Sequence, residues 1–273
     1  MIYQNSIKPW SMFSALTRHR ELLWELIKRD FVGRYKGSFM GVAWSLFNPL
    51  LMLVIYTFVF SVAFKARWGV ENEGKVNFAI VLFSGLIIHT LFAECLNRSP
   101  MLISSHPNYV KKVVFPVEIL PWMALGSALG HFLVSLSVLI VFCVLSATPL
   151  HLSGLMLPII LLPLLLMVVG LGWLLSSLGV FLRDLAQVIA VITTITLFLA
   201  PVFYPIDALP PSYQSILIWN PVTLPILQFR GALLWGEPLQ WVPWGVSLII
   251  GIAVCYLGFA WFQKTRRGFA DVL

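Results

Sequence analysis

Charge is what this sequence has least of. Asp, Glu, Lys and Arg make up only 11% of its 273 residues, against about 25% in an average soluble domain. The few charges also leave long gaps. Uncharged runs of 28, 18, 64, 22 and 26 residues separate Lys36 from Lys65, Lys75 from Glu94, Glu118 from Arg183, Asp184 from Asp207, and Glu237 from Lys264. With 59% hydrophobic residues and a mean hydropathy of +0.91, such runs exclude an ordinary soluble globule and define a membrane protein. The net charge of +7 is therefore read as topology signals and lipid-headgroup contacts, with no nucleic-acid partner.

Other absences narrow the function. Cysteine is scarce and odd in number (Cys95, Cys143 and Cys255, all in or beside apolar runs), so no disulfide framework and no CxxC metal pair is expected. No phosphate loop of the GxxxxGK[ST] kind exists; "EGKVN" lacks both the first glycine and the Ser/Thr. HExxH and GxSxG are absent too, so neither a catalytic residue nor a metal ligand is expected. The first 40 residues lack the pattern of a cleavable signal. Intramembrane carboxylates, which proton- and ion-coupled carriers keep for the purpose, are nearly missing: Glu94 ends the second apolar run and Glu118 begins the third. That argues against a secondary carrier or channel. Lone histidines inside spans, His89 and His131, are read as packing or hydrogen-bonding residues rather than ligands.

What is present fits an all-α integral membrane protein. A spanning helix needs about 20 apolar residues, and the 64-residue run is divided by the turn "SATPLHLSG". Six spans are expected, near residues 44–64, 76–93, 119–146, 153–182, 187–204 and 243–262. A seventh uncharged stretch, 208–229, carries Pro210, Pro211, Pro221 and Pro225, which a single helix does not tolerate. Two short helices meeting at "WNP" are expected instead. Six spans put 14 Lys/Arg on the side of both termini and leave Lys65, Arg67, Lys75 and Arg230 opposite; a seventh would move Lys264, Arg266 and Arg267 outward. Positive residues favour the cytoplasm, so both termini are placed there. The 205–238 segment then forms an outer re-entrant hairpin, shielded by protein or lining a wet cavity.

The chain divides into a cytoplasmic tail with an amphipathic helix (1–43), a six-helix transmembrane domain (44–262) and a cytoplasmic tail (263–273). Leu23, Ile27, Phe31 and Tyr35 recur every fourth residue in "ELLWELIKRDFVGRYK", and Glu25 can pair with Lys28 or Arg29. This helix suits the interface plane, either as an anchor or as a moving element that docks a partner. It runs into "GRYKGSFMG", where four-residue spacing would put Gly33, Gly37 and Gly41 on one helix face, as a hinge or a close-packing surface. A patterned loop follows the second span. There Ser104 and Ser105 can cap a short helix through Tyr109 to Lys112, either solvated or fitted to a partner's groove. Arg183 and Asp184 mark a cytoplasmic turn as a local pair or a contact. Gly126 and Gly130 form a GxxxG pair suited to a close helix contact. Tryptophans at span ends read as interfacial belts. Phe47, Tyr56 and Phe60 in the first span, with Phe198, Phe203 and Tyr204 in the fifth, are candidates to line a conduit, their faces suited to sugar rings.

"RDFVGRYKGSFMGVAWSLFNPL", "NYVKKVVFPVEILP", "FLRDL", "WNPVT" and the ending "RRGFADVL" together resemble the membrane subunit of a polysaccharide ABC exporter of the ABC-2 permease type, close to O-antigen exporters and related to capsule and teichoic-acid exporters. The resemblance implies a homodimer in the bacterial inner membrane, joined by two copies of a separate ATPase that binds ATP and Mg; no cofactor belongs to this chain. It makes 21–36 a gate helix and His106, Pro107, Asn108, Tyr109, Lys111 and Lys112, within about 104–113, an ATPase-coupling helix. Spans one and five would bound the conduit. The implied substrate is an undecaprenyl-diphosphate-linked polysaccharide, with Arg29, Arg34, Tyr35 and Lys36 near its headgroup. A permease for a small lipid or drug is the alternative.

Overall fold

A computed structural model describes residues 11–63, 78–107, 109 and 115–272. Every regular element among them is helical. Two amphipathic helices come first, α1 (Ser11–Arg18) and α2 (Arg20–Gly33). Then follow α3 (Trp44–Tyr56, widening into a π-helix over Thr57–Ala63), α4 (Phe78–Arg98), α5 (Leu120–Leu145) and α6 (Leu157–Phe181). The chain continues through α7 (Leu185–Phe198), α8 (Pro211–Leu217), α9 (Thr223–Arg230), α10 (Trp241–Thr265) and α11 (Phe269–Val272).

Among the described residues, five helical stretches are long and apolar enough to cross a membrane: Gly41–Phe60, Phe78–Met101, Val117–Leu145, Leu152–Phe181 and Trp241–Gly268. The second is the hub. Some 78% of its apolar window is buried inside the protein, against 11% for the first. Lipid tails are as apolar as leucine, so helices in a bilayer associate through close packing and hydrogen bonds. The tightest seam, between α6 and α10, follows that rule. Gly170 and Gly258 face each other so closely that a Cβ on Gly258 would overlap the Gly170 carbonyl. Beside them Trp173, fully buried, meets Phe259 edge-on at 4.9 Å and donates its indole N–H to the Glu118 carbonyl at 3.0 Å. Glu118 in turn holds Arg266 at 2.8 Å, fastening the end of α10 to the start of α5.

The fifth apolar run behaves differently from the expected span over 187–204. Its helix, α7, has 14 residues and is about 21 Å long at 1.5 Å per residue, short of a hydrocarbon core. The helix stops because Pro201 and Pro205 follow, and the residue before a proline is pushed out of the helical region. The freed carbonyls find partners in the segment beyond. Asn220 Nδ2 donates to the Thr196 carbonyl at 2.8 Å and the Tyr204 hydroxyl to that of Phe198 at 2.9 Å. The Arg230 guanidinium donates to the carbonyls of Pro201 and Val202. An end that would otherwise leave backbone groups orphaned is thus closed by side chains of the 205–238 region.

That region does consist of two short helices, α8 and α9, broken around Trp219–Pro221. Asn220 Oδ1 also accepts the Val222 N–H at 3.2 Å across the break. Arg230, counted above among exposed outer charges, is instead fully buried. Besides the two α7-end carbonyls it donates to the Val81 carbonyl (2.9 Å) and Ser84 Oγ (3.2 Å) at the start of α4. Gly85 leaves the space this guanidinium occupies.

Candidate functional site

The site is built at the opposite end of α4, where α2 lies on α4 and α5. The apolar stripe of α2 does not face lipid. Ile27 and Phe31 sit over Gly126 and Gly130 of α5, and Leu26 is 4% exposed. A Cβ at Gly130 would stand 2.9 Å from the Phe31 ring, and one at Gly126 would overlap Ile27. The GxxxG pair therefore makes its close contact with the amphipathic helix. Trp24, beside the stripe, stays 58% exposed, and Lys28 pairs with Glu25 at 2.9 Å.

Charges seal the seam. Asp30 on α2 and Arg34 at its C-cap are four residues apart, and α4 carries Glu94 and Arg98 at the same spacing in the same order. Residues four apart share a helix face, so the two helices pair reciprocally. Arg98 Nη2 donates to Asp30 Oδ1 at 2.6 Å, and Arg34 Nη2 donates to Glu94 Oε1. His131 of α5 joins them, its Nδ1 lying 3.1 Å from both Glu94 oxygens and 3.2 Å from Arg34 Nη1. The carboxylate selects the tautomer in which Nδ1–H donates to it. The imidazole is stacked on Phe31 at 4.6 Å and meets Tyr35 edge-on. Burial alone would raise the Asp30 carboxyl, but the hydrogen bond and charge of Arg98, the hydrogen bond of Ser127 and the charge of Arg34 hold it below the usual carboxylate range.

Sequence reasoning missed most of this cluster. Asp30 and Arg98 were not singled out, Glu94 was a span end, and His131 was read as a packing or hydrogen-bonding residue with no partner named. The legible signal was the matched Asp-x3-Arg and Glu-x3-Arg spacing.

Arg34, Glu94 and His131 open onto a cavity of about 340 Å³ between α3, α4 and α5, whose other polar lining includes Tyr35, Ser45, Asn48 and Tyr56. Of the six conduit candidates, Tyr56 lines it. Phe60 stacks on Phe78 at 5.3 Å, Phe47 is exposed and edge-on to Trp44, and Phe198 is exposed and stacked on Phe203 at 5.8 Å. The six do not converge on one surface of a single chain.

From the other side of α2, Arg29 reaches the loop after α4. It donates to the Tyr109 hydroxyl, and its guanidinium carbon lies 5.8 Å from the Tyr109 ring centroid. Tyr109 is sandwiched between His106 (5.3 Å) and Phe115 (4.2 Å). A second cavity, about 370 Å³, lies between α2 and His106, with Arg29 and Asp30 on its wall. Among the described residues the hydroxyls of Ser104 and Ser105 bond back to the carbonyls of Met101 and Leu102, and the rest of the expected capped helix lies outside them. A serine's short reach favours a carbonyl three residues back when the chain is already turning. Pro107 is half-buried; Asn108, Lys111 and Lys112 lie outside the described residues.

The three glycines do not share a helix face. α2 ends at Gly33, and a run of turns follows to the start of α3. Gly37 and Gly41 have φ of +88° and +55°, and among the described residues nothing lies within 4 Å of a Cβ at any of the three. Within one chain they serve the bend, since positive φ is open to glycine at no steric cost. Lys36 is exposed in that bend. Arg183 and Asp184 are both exposed at the turn from α6 to α7, and among the described residues they form no ion pair. No group of three or more metal-ligating side chains occurs among the described residues.

A hub helix gripped at one end by an amphipathic helix and at the other by two short helices places this chain among multi-helix membrane proteins. It belongs to the ABC-2 type transporter family, whose model matches residues 21–234. Among its relatives are O-antigen export system permease proteins RfbA. One from Klebsiella pneumoniae is 28% identical over 93% of this chain and 95% of its own length. One from Myxococcus xanthus is 24% identical over 94% and 96%. The polysialic acid transport protein KpsM of Escherichia coli is 22% identical over 89% of this chain and 92% of its own.

Proposed function

We propose that this chain is the permease subunit of an ATP-driven exporter that moves undecaprenyl-diphosphate-linked, O-antigen-like polysaccharide outward across the bacterial inner membrane. The observation that carries the reading is the end-to-end similarity to O-antigen export permeases, which covers both the α2 seam and the α8–α9 segment. Two chains and two copies of a separate ATPase make the working unit, and the ATPase binds ATP and Mg. Six spans keep both termini cytoplasmic, with α7 as the fifth, extended by the re-entrant pair α8 and α9. In this reading the loop at His106–Tyr109 receives the ATPase, and the contacts support a route onward: Arg29 links Tyr109 to α2, and α2 bears on α4 and α5. Arg34 and Lys36 meet the diphosphate at the cytoplasmic lipid surface.

The test is reconstitution with the partner ATPase in proteoliposomes. The expected result is ATP-dependent translocation of lipid-linked glycan, lost when Arg34 and Lys36 are both changed to Gln. Ion flux without the ATPase, or equal ATPase stimulation by a small lipid and by polymer-loaded lipid, would overturn the reading.

A further inference from the structure

Arg34 is the cation best placed to meet an anionic headgroup, yet it is already occupied. Its guanidinium is held by Glu94, whose carboxylate also accepts the His131 N–H. The three residues share the wall of the 340 Å³ cavity. That volume is in the range of small-molecule sites, and its lining combines charged and polar groups (Arg34, Tyr35, Asn48) with apolar ones (Phe83, Ile87, Phe132). A charged head with an apolar tail matches that combination.

The network around Glu94 is incompletely satisfied. Arg98 Nη1 and His131 Nε2 are buried without a hydrogen-bond partner. A half-satisfied buried network is costly and has an incentive to rearrange. One rearrangement is built in. Arg98 Nη1 stands 4.0 Å from Glu94 Oε1 on the same helix face. A small rotation of the Glu94 side chain would bring its carboxylate to that unused donor. Arg34 is also free to turn, because it lies just past the end of α2, ahead of the glycine bend, and its side chain is 31% exposed against 12% for Glu94.

We infer that Glu94 is a resident competitor for the anion site of Arg34, displaced onto Arg98 when the diphosphate of a polyprenyl-diphosphate lipid enters the cavity. Neither charge is stranded by the exchange: Arg34 trades a carboxylate for a phosphate, which its planar fork binds at least as well, and Glu94 trades one guanidinium for another. Removing a partner without replacement would leave a buried charge uncompensated, so the empty site stays latched and only a stronger anion opens it. Because Arg34 sits beside α2, ligand entry frees α2 from one of its two ionic ties to α4 and primes it to move. The inference rests on the export reading for the identity of the lipid.

The test measures binding of radiolabelled undecaprenyl diphosphate to the full-length permease, assembled with its ATPase in phosphatidylcholine nanodiscs. Expected results are at least tenfold weaker binding for Arg34→Gln and roughly fivefold tighter binding for Glu94→Gln. The double variant should behave as Arg34→Gln, since Glu94 acts through Arg34. Arg98→Met should weaken binding when Glu94 is present and have no effect in the Glu94→Gln background, a dependence that a merely structural role would not produce. Weaker or unchanged binding by Glu94→Gln overturns the inference; if that variant does not assemble, Glu94→Asp replaces it with the same criterion. Inorganic pyrophosphate should compete, but less well than unlabelled undecaprenyl diphosphate. Equal competition by the two, or competition by undecaprenol alone, overturns the lipid-diphosphate assignment. The two readings fail separately: a correct binding pattern without glycan export sinks the exporter, and glycan export with unchanged Glu94→Gln binding sinks the latch.

Discussion

Arg230 is a guanidinium with no exposed surface, and its environment is mostly carbonyl oxygen: Val81, Pro201 and Val202, with the Ser84 hydroxyl. Arg230→Met would remove the donors to the buried Pro201 and Val202 carbonyls, whereas the Val81 carbonyl keeps the Ser84 hydroxyl at 2.6 Å. Each orphaned buried group costs about 1–3 kcal/mol, so the variant should lose roughly 2 kcal/mol or more of stability, read as a lowered Tm in micelles. Arg230→Lys, which keeps the charge but not the fork, should fall between. Nothing in the sequence marked this residue, because its acceptors are backbone groups that every residue owns; counting it as an outer surface charge was the natural reading. Asp30 is a second case. Its carboxyl is held below the ordinary value by Arg98 and Arg34 against the opposing effect of burial. A depressed folded-state value means the carboxylate stabilises the α2 seam at neutral pH, and that stabilisation is lost as pH falls below the unfolded value of 3.8 and through the lower folded one. Thermal unfolding of the wild type should therefore drop steeply below about pH 4. Asp30→Asn should show a shallower drop there and a lower Tm at pH 7. An unchanged acid profile in that variant would remove Asp30 from the account.

α2 shows how far pattern carries and where it stops. Its apolar stripe and the Glu25–Lys28 pair were legible from spacing, since both depend on neighbours within one helix. What the stripe rests on was not, because the partner surface at Gly126 and Gly130 lies 99 positions from both Ile27 and Phe31. The two motifs were each visible and their match was not. Gly130→Leu should lift α2 off α5 by driving a side chain into the Phe31 ring. Cross-linking or spin-label distances between exposed Glu21 and Ser137 should then change, while Gly245→Leu, with open space around it, should change neither. The glycine bend gives a sharper test. Gly33 ends a helix in ordinary conformation, so Gly33→Ala should be neutral or slightly stabilising. Gly37→Ala and Gly41→Ala place a Cβ at φ of +88° and +55° and should each cost about 1–2 kcal/mol. Equal Tm values for all three would mean that the bend does not rely on positive φ. The fifth apolar run, expected to be helical to 204, ends as a helix at Phe198 for a related reason: hydropathy counts residues, whereas helix ends are set by Pro201, Pro205 and the side chains that satisfy the freed carbonyls.

At the scale of the whole molecule, the exposed apolar faces decide what one chain lacks. On α3 the outward residues Phe47, Leu51, Val54 and Phe58 recur at intervals of four, three and four; on α7 Val188, Val191, Ile195 and Phe198 recur at three, four and three. Each set lies along one side of its helix, within a broader exposed surface that also takes in Leu46, Leu50, Met52 and Ile55 on α3 and Ile192 on α7, and α4 packs against both helices. Four of the conduit candidates lie on these two helices, Phe47, Tyr56 and Phe198 among the clearest, yet they do not meet inside one chain. A second copy would bring facing stripes together, which is how a conduit bounded by spans one and five would arise. α10 has an exposed face as well, around Val242, Val246 and Ile249, so exposure by itself does not separate a subunit interface from lipid. Chemistry can separate them. The native Cys95, Cys143 and Cys255 are buried, which keeps their background reactivity low. Single cysteines introduced at Val54 (64% exposed) or Val191 (59%) should form oxidant-dependent dimers in membranes, whereas one at Ile249, more exposed still at 69%, should not. Dimers through Ile249 and none through Val54 or Val191 would place the second copy against α10 and leave the α3 and α7 stripes to lipid.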